Sequence, residues 1–250
     1  MTQIAVGQQT TPTPFSEFLA GARDSFPLIV GAIPFGIIYG TLAQASGLSF
    51  AATMAMSVFV FAGSAQFIAV GLVAVGTGAP FIILTTFVVN LRHALYSATL
   101  APYVTKLPQR WQVPLAFLLT DETFAVVVKR YIGSSGSNAS YNRWYYLGSG
   151  LFMYLNWQFC TFLGLTIGQM LPDAAGWGLD FAMVVTFIGM TIPYLKNKPM
   201  VATVIVAGGV ALVAHSLPHQ LWLIVATVAG IATGVLIEAL QKRKMEAHNE

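Results

Sequence analysis

Arg92 and His93 lie inside one apolar run, and Asp121 and Glu122 lie inside the next. An ionisable side chain in hydrocarbon costs about 2.5–3.5 kcal/mol on insertion scales, so such groups face one another or a polar hollow and mark the path of a solute or a proton. The segment from Asn90 to Glu122 is therefore read as the working part of the chain. Thr86, Asn90, His93 and Ser97 recur at spacings of four, three and four and share one helical face, with Arg92 and Tyr96 beside it. A polar stripe in lipid is expected to look inward. Arg92 stands eight residues before Leu100 and Asp121 eight residues after Val113. That puts each about 12 Å from the outer end of its helix, so Arg92 can pair with Asp121 or Glu122. Such a pair is either a brace between helices or chemistry. In the second case a carboxylate is the proton site, and Arg92 or the N-terminus of a broken helix meets a substrate carboxylate.

The elements that position these groups follow from composition. Of 250 residues, 56% are hydrophobic and 8% charged, about a third of the roughly 25% usual in a soluble domain. The chain reads as an integral membrane protein. Its net charge of +3 serves topology rather than nucleic-acid binding, because the basic residues fall between apolar runs. The single cysteine, Cys160, cannot form an internal disulfide. Residues 1–14 have neither a basic n-region nor an apolar h-region and are not a signal peptide. Residues 1–20 are expected to be a disordered cytoplasmic tail, 21–240 a single transmembrane domain and 241–250 a charged cytoplasmic tail.

From Ser25 to Leu91 there are 67 residues without a formal charge, enough for three spans at about 20 residues each. They fall at 26–43, 48–75 and 79–100, and further spans are expected at 113–128, 145–170, 179–195, 201–214 and 220–239. The fold class is thus an all-α polytopic membrane protein of seven or eight transmembrane helices, the short seventh leaving both counts open. With a cytoplasmic N-terminus, nine Lys and Arg fall inside and two, Lys106 and Arg110, outside, with Arg92 buried in a span. A half-inserted segment upstream would explain that exception.

The run 48–75 would measure about 42 Å as one straight helix against a core of about 30 Å. It must tilt or break. Phe61-Ala62-Gly63-Ser64-Ala65-Gln66-Phe67 is the candidate break, since unwound backbone at this depth is tolerated where it lines a cavity. Close packing at Gly63, Ser64 and Ala65 is the plainer reading, and Gln66 is harder to explain that way. Gly36-Ile37-Ile38-Tyr39-Gly40 is echoed by Gly164-Leu165-Thr166-Ile167-Gly168, and Gly47-Leu48-Ser49-Phe50-Ala51 by Gly178-Leu179-Asp180-Phe181-Ala182. The echo suggests repeats over 25–130 and 145–240. His215 and His219 are too few for zinc, so no metal and no cofactor is expected.

Pro34-Phe35-Gly36, Phe61-Ala62-Gly63-Ser64-Ala65-Gln66-Phe67, Asn90-Leu91-Arg92-His93-Ala94-Leu95-Tyr96 and Leu119-Thr120-Asp121-Glu122-Thr123-Phe124-Ala125 occur in that order. Together they resemble the AzlC family of bacterial branched-chain amino acid exporters. The resemblance implies a large permease subunit in the plasma (inner) membrane. It works with a small hydrophobic AzlD-type subunit and exports valine, isoleucine, leucine and methionine at the expense of the proton motive force. No family rule assigns roles among these residues, so the depth argument does. Gly63, Ser64, Gln66, Asn90 and Arg92 are candidates for substrate binding, and Asp121, Glu122 and His93 for proton coupling. Phe59, Phe61, Phe67 and Phe124 are candidate apolar walls. The chain is not expected to be an enzyme. An intramembrane serine hydrolase using Ser64 with His93 lacks the GxSG pattern, an ion channel lacks a selectivity-filter motif, and a purely structural membrane subunit leaves the buried charges without a use.

Overall fold

The computed structural model describes residues 13–133, 141–170, 188, 192, 195–217 and 221–246. Among them nine helices are found: α1 (Pro14–Ala45), α2 (Phe50–Phe59), α3 (Gly63–Ala74), α4 (Ala79–Val104), α5 (Gln109–Phe117), α6 (Asp121–Gly133), α7 (Asn142–Met170), α8 (Lys198–Ala214) and α9 (Leu221–Glu246). The chain is an all-helical membrane protein. The expected span 179–195 lies outside the described residues apart from Ile188, Ile192 and Leu195.

Helix α1 begins at Pro14, well before the expected 26, because Thr13 caps it. The Ser16 N–H donates to Thr13 Oγ1 at 3.1 Å and the Thr13 N–H to Ser16 Oγ at 2.9 Å, with Pro14 at the first helical position. The tail boundary expected at residue 20 therefore falls inside α1, and the charged tail expected from 241 is helical to Glu246. At the other end Gly47 takes φ +86°, and the Leu48 N–H returns to the Ala43 carbonyl at 3.0 Å. This closes the last turn as only a left-handed residue allows.

Helices α1 and α7 form the spine. Ser25 Oγ meets Ser149 Oγ at 2.6 Å and Thr41 Oγ1 donates to the Gly164 carbonyl at 3.0 Å. Gly36 packs on Cys160. The partner numbers rise together along both helices, so the two run parallel. Gly21 and Gly148 at one end, and Gly40 and Gly164 at the other, lie so close to the opposite backbone that a Cβ on any of them would overlap a carbonyl. This is the small-residue contact by which helices associate where no hydrophobic force acts between them. The Gly36–Gly40 and Gly164–Gly168 echo falls in this zone, where both helices need small residues. Its second counterpart, 178–182, lies outside the described residues.

Measured along α7, the expected second and fourth spans are not spans at all. Phe50 packs on Phe162 (ring centroids 6.0 Å apart) and Phe61 on Tyr154 (4.9 Å), so α2 descends from the far end of α7 to its middle. There the helix breaks. Phe67 of α3 then packs on Tyr39 at 5.8 Å. The short link from Ala74 to Ala79 must deliver the chain to the start of α4, whose end, Tyr103, lies beside Tyr131 at 5.4 Å. With 26 residues, about 39 Å long, α4 therefore starts at the far end, and α3 must climb back to it.

The second hairpin is the inverse of the first. Trp111 of α5 packs on Trp144 at 4.7 Å at the near end of α7, and Phe117 reaches Tyr154 at 5.7 Å. After the break at 118–120, α6 returns until Tyr131 meets Tyr146 at 6.4 Å. Arg130 Nη2 donates to both Glu17 carboxylate oxygens at 2.6 and 2.7 Å and its guanidinium lies 5.2 Å over the Tyr145 ring, which fastens this end of α6 to α1 and α7. Two helical hairpins thus enter from opposite faces and meet at mid-depth, with α1, α4 and α7 as the full-length helices around them.

This corrects the placement of Lys106 and Arg110. They sit with Arg23, Lys129, Arg130 and Arg143 at one basic end, and only Arg92 of the first 170 residues' basic side chains lies between. Gly230 and Gly234 of α9 pack on Thr203 of α8, so these two helices are antiparallel and Lys198 shares an end with Lys242, Arg243 and Lys244. The apolar outer faces of α4, α8 and α9 are exposed, as befits lipid.

The hairpins predict an accessibility pattern that continuous spans do not. In a Cys160→Ala background, Lys106→Cys and Arg143→Cys should react with a membrane-impermeant maleimide from the same side, and Thr77→Cys from the other. Reaction of positions 106 and 143 from opposite sides would refute the second hairpin.

Candidate functional site

The two hairpin tips and the middles of α1, α4 and α7 enclose one cavity of about 50 Å³. Ala32 and Phe35 come from α1, Phe61 to Ser64 and Phe67 from the first tip, Arg92 and His93 from α4, Thr120 to Glu122 from the second tip, and Met153 and Trp157 from α7.

The first break is held by α7. Phe61 has φ +42°, a left-handed conformation that costs a non-glycine residue about 1–3 kcal/mol and persists only where its surroundings fix it. The last carbonyls of α2 lose their helical partners there. Gln158 Nε2 donates to the Ser57 carbonyl at 2.9 Å and Tyr154 Oη to the Val58 carbonyl at 3.2 Å. Across the break, Gln66 Nε2 donates to Ser57 Oγ at 3.1 Å, Trp157 Nε1 donates to Gln66 Oε1 at 3.0 Å, and Ser57 Oγ meets Thr161 Oγ1 at 2.9 Å. Gln66 is fully buried. Both ends of its amide are spent in this brace, and it does not line the cavity, contrary to its expected substrate contact.

The second break starts α6. The Thr123 N–H donates to Thr120 Oγ1 at 3.3 Å and the Phe124 N–H to the Thr120 carbonyl at 2.8 Å. Thr120 is thus the N-cap, and Asp121 and Glu122 occupy the first turn, where the helix dipole favours negative charge. The expected ion pair forms here. Arg92 Nη1 lies 2.8 Å from Asp121 Oδ2, and Tyr96 Oη donates to Asp121 Oδ1 at 2.5 Å. Tyr96 in turn stacks on Phe124 at 4.4 Å.

Of the candidate residues, Gly63, Ser64, Arg92, His93, Asp121 and Glu122 line the cavity and Gln66 and Asn90 do not. Asn90 Oδ1, two residues before Arg92 on α4, is buried without a hydrogen-bond partner. The inward stripe on α4 is shorter than expected. Ser97 is exposed and Thr86 bonds back to the Ile82 carbonyl at 2.8 Å. Of the candidate walls, Phe61 and Phe67 line the cavity, Phe124 stacks behind it, and Phe59 points outward at 77% exposure. Ser64 Oγ is buried without a hydrogen-bond partner.

Residues 27–171 match the family described as AzlC protein. The chain belongs to the AzlC family. The AzlC match runs from the middle of α1 through α7 and so contains every cavity residue. An inner membrane protein, YgaZ, of Escherichia coli K12 is 27% identical over 243 residues, covering 94% of this chain and 96% of the relative. An uncharacterized membrane protein of Archaeoglobus fulgidus is 33% identical over 216 residues (85% and 92%). The branched-chain amino acid transport protein AzlC of Bacillus subtilis 168 is 26% identical over 188 residues (73% and 72%). No solved structure matches the chain.

The residues missed in the sequence are those of α7. Tyr154, Asn156, Trp157, Gln158 and Thr161 form a polar run within an apolar stretch, a signal of the same kind as Arg92 and Asp121 but without formal charge.

Removing one partner of a buried ion pair costs roughly 3–5 kcal/mol. With these side chains 25% and 20% exposed, about 2–3 kcal/mol is expected. Arg92→Ala and Asp121→Ala should each lower the thermal midpoint in detergent, and the double substitution should lose clearly less than the sum. Additive losses would show that the two groups are not coupled.

Proposed function

We propose that this chain is the large subunit of a secondary transporter that exports branched-chain amino acids and methionine across the bacterial plasma membrane. It is driven by protons and accompanied by a small hydrophobic AzlD-type subunit. The observation that carries this reading is the cavity at mid-depth, where two helix N-termini, a guanidinium and two carboxylates meet apolar walls. An α-amino acid offers a carboxylate, an ammonium and an aliphatic side chain. Donors come from Gly63, Ser64 and Arg92, acceptors from Asp121 and Glu122, and an apolar wall from Phe35, Phe61, Phe67, Met153 and Trp157. Gln66 supports the first tip from behind through Ser57 and Trp157. Asp121, Glu122 and His93 are the groups through which a proton couples to the substrate. The name of the Bacillus subtilis relative supports the substrate class. The positive-inside rule assigns the basic end to the cytoplasm.

The cavity of about 50 Å³ is about a third of an engineered one that admits benzene. An amino acid is therefore loaded only when a hairpin tip withdraws. Opposed half-membrane hairpins also suit a pore, which makes a channel the second reading. The Arg92–Asp121 bridge across the meeting point favours a carrier.

Proteoliposomes holding the chain and its small partner should move valine and leucine faster than lysine, and an imposed pH gradient should accelerate them. Glu122→Gln should keep leucine exchange yet lose the response to the gradient by tenfold or more. Flux indifferent to both side chain and gradient would end the reading, and unitary currents in bilayers would replace it with a channel.

A further inference from the structure

The two hairpins and the long helices before them correspond residue by residue at a constant offset of about 57. Tyr39 maps to Tyr96 and Phe67 to Phe124, and both Tyr–Phe pairs are in ring contact, at 5.8 and 4.4 Å. Val70 maps to Val127, both fully buried. Phe35, Gly63 and Ser64 map to Arg92, Thr120 and Asp121, and all six line the same cavity. Since α1 and α4 run in opposite directions and the hairpins enter from opposite faces, the two units are related by inversion in the membrane plane, as in many carriers. This pair of units lies within the first of the expected halves, 25–130, and is distinct from the expected repeat over 25–130 and 145–240.

The correspondence sets two equivalent helix N-termini against the cavity and shows how they differ. The first turn of α6 carries its own carboxylates, Asp121 and Glu122. The first turn of α3 is Gly63, Ser64 and Ala65, with no acidic residue and no side-chain cap. Their N–H groups precede the first helical bond, from the Gln66 N–H to the Ala62 carbonyl at 2.9 Å, so they have no acceptor within the helix. Ser64 is 4% exposed and its hydroxyl is buried without a partner. A Cβ on Gly63 would stand 3.0 Å from the Trp157 ring, so this turn packs directly against Trp157, which walls the same cavity.

We infer that the substrate carboxylate is held by the N-terminus of α3, through the N–H groups of Gly63 to Ala65 and the Ser64 hydroxyl, and not by Arg92. Arg92 Nη1 is paired with Asp121 at 2.8 Å, which offsets its charge, while its Nε is buried without a partner. Glu122 adds a second carboxyl group beside that pair in the cavity lining, so the acceptors for an ammonium lie at the second tip. The substrate thus lies with its carboxylate toward the first hairpin and its ammonium toward the second. This assignment rests on the transport reading above.

The full chain in nanodiscs tests it by calorimetric titration with L-leucine and with isocaproate, which is leucine without its ammonium. Ser64→Ala removes a hydroxyl that has no protein partner, so the unliganded thermal midpoint should stay unchanged. The affinity for both ligands should fall tenfold or more, the worth of one hydrogen bond to a charged group. Ser64→Asp, which copies Asp121 onto the first tip, should abolish leucine binding. If Ser64→Asp fails to fold, Ser64→Ala decides. Leucine affinity within threefold of the wild type in either folded variant would overturn the carboxylate seat while leaving the function standing. A wild-type chain that binds no branched-chain amino acid would overturn both.

Discussion

A helix interrupted halfway through a bilayer leaves N–H and C=O groups where no water can reach them, each costing several kcal/mol if unsatisfied. The arrangement of this chain depends on meeting that demand twice. At the first interruption, side chains of α7 take over the last carbonyls of α2, while Gln66 and Ser57 pin the two half-helices together. At the second, Thr120 caps α6 from within. Helix α7 serves the first break, and its parallel contact with α1 through Gly21, Gly40, Gly148 and Gly164 fixes its height and rotation. The glycine seam at the spine is thus a condition for the polar chemistry at the centre, although none of the four glycines lines the cavity.

Charge is placed where this backbone geometry makes it affordable. Asp121 and Glu122 occupy the first turn of α6, so the helix dipole offsets part of their desolvation. Both oxygens of Asp121 are engaged, one by Tyr96 and one by Arg92. Arg92 itself sits on an uninterrupted helix, which offers no backbone donor or acceptor to help it, and its position is tolerable because its counter-ion arrives on the tip of a hairpin from the basic end. Neither residue would be stable at this depth without the other element.

The helical membrane class, the matched depth of Arg92 and Asp121 and the break near Gly63 were legible in the sequence. The reason for the matched depth was not. The counting assumed two antiparallel spans and measured from Leu100 and Val113. The helices in fact share their near end, and the match holds because Arg92 precedes Val104, and Asp121 precedes Gly133, by the same number of residues. Thr120-Asp121-Glu122 reads as a helix start, an N-cap followed by two acids, but the apolar run around it is long enough for a span and hides the break. Lys106 and Arg110 were the other sign. Their apparent violation of charge asymmetry disappears once α5 and α6 form a hairpin. The polar run from Tyr154 to Thr161 marks α7 as more than a lipid-facing helix, but which group each side chain meets depends on a break contributed by a distant segment.

The two tips are held by different forces, and this gives the cavity a direction. Neutral hydrogen bonds and ring contacts with α7 secure the first tip, and none of them changes when a proton arrives. The second tip is tied to α4 by an ion pair and a phenol bonded to the same carboxylate, while its remaining contacts at mid-depth are those of Leu118 with Gly150 and Phe117 with Phe61 and Tyr154. Whatever parts Arg92 from Asp121 loosens the second tip and leaves the hydrogen bonds of the first in place. Inversion makes the two units alike in shape, and replacement of Ser64 by an aspartate at the equivalent position 121 makes them unlike in response. In a carrier that difference separates the element that recognises the substrate from the one that responds to the proton.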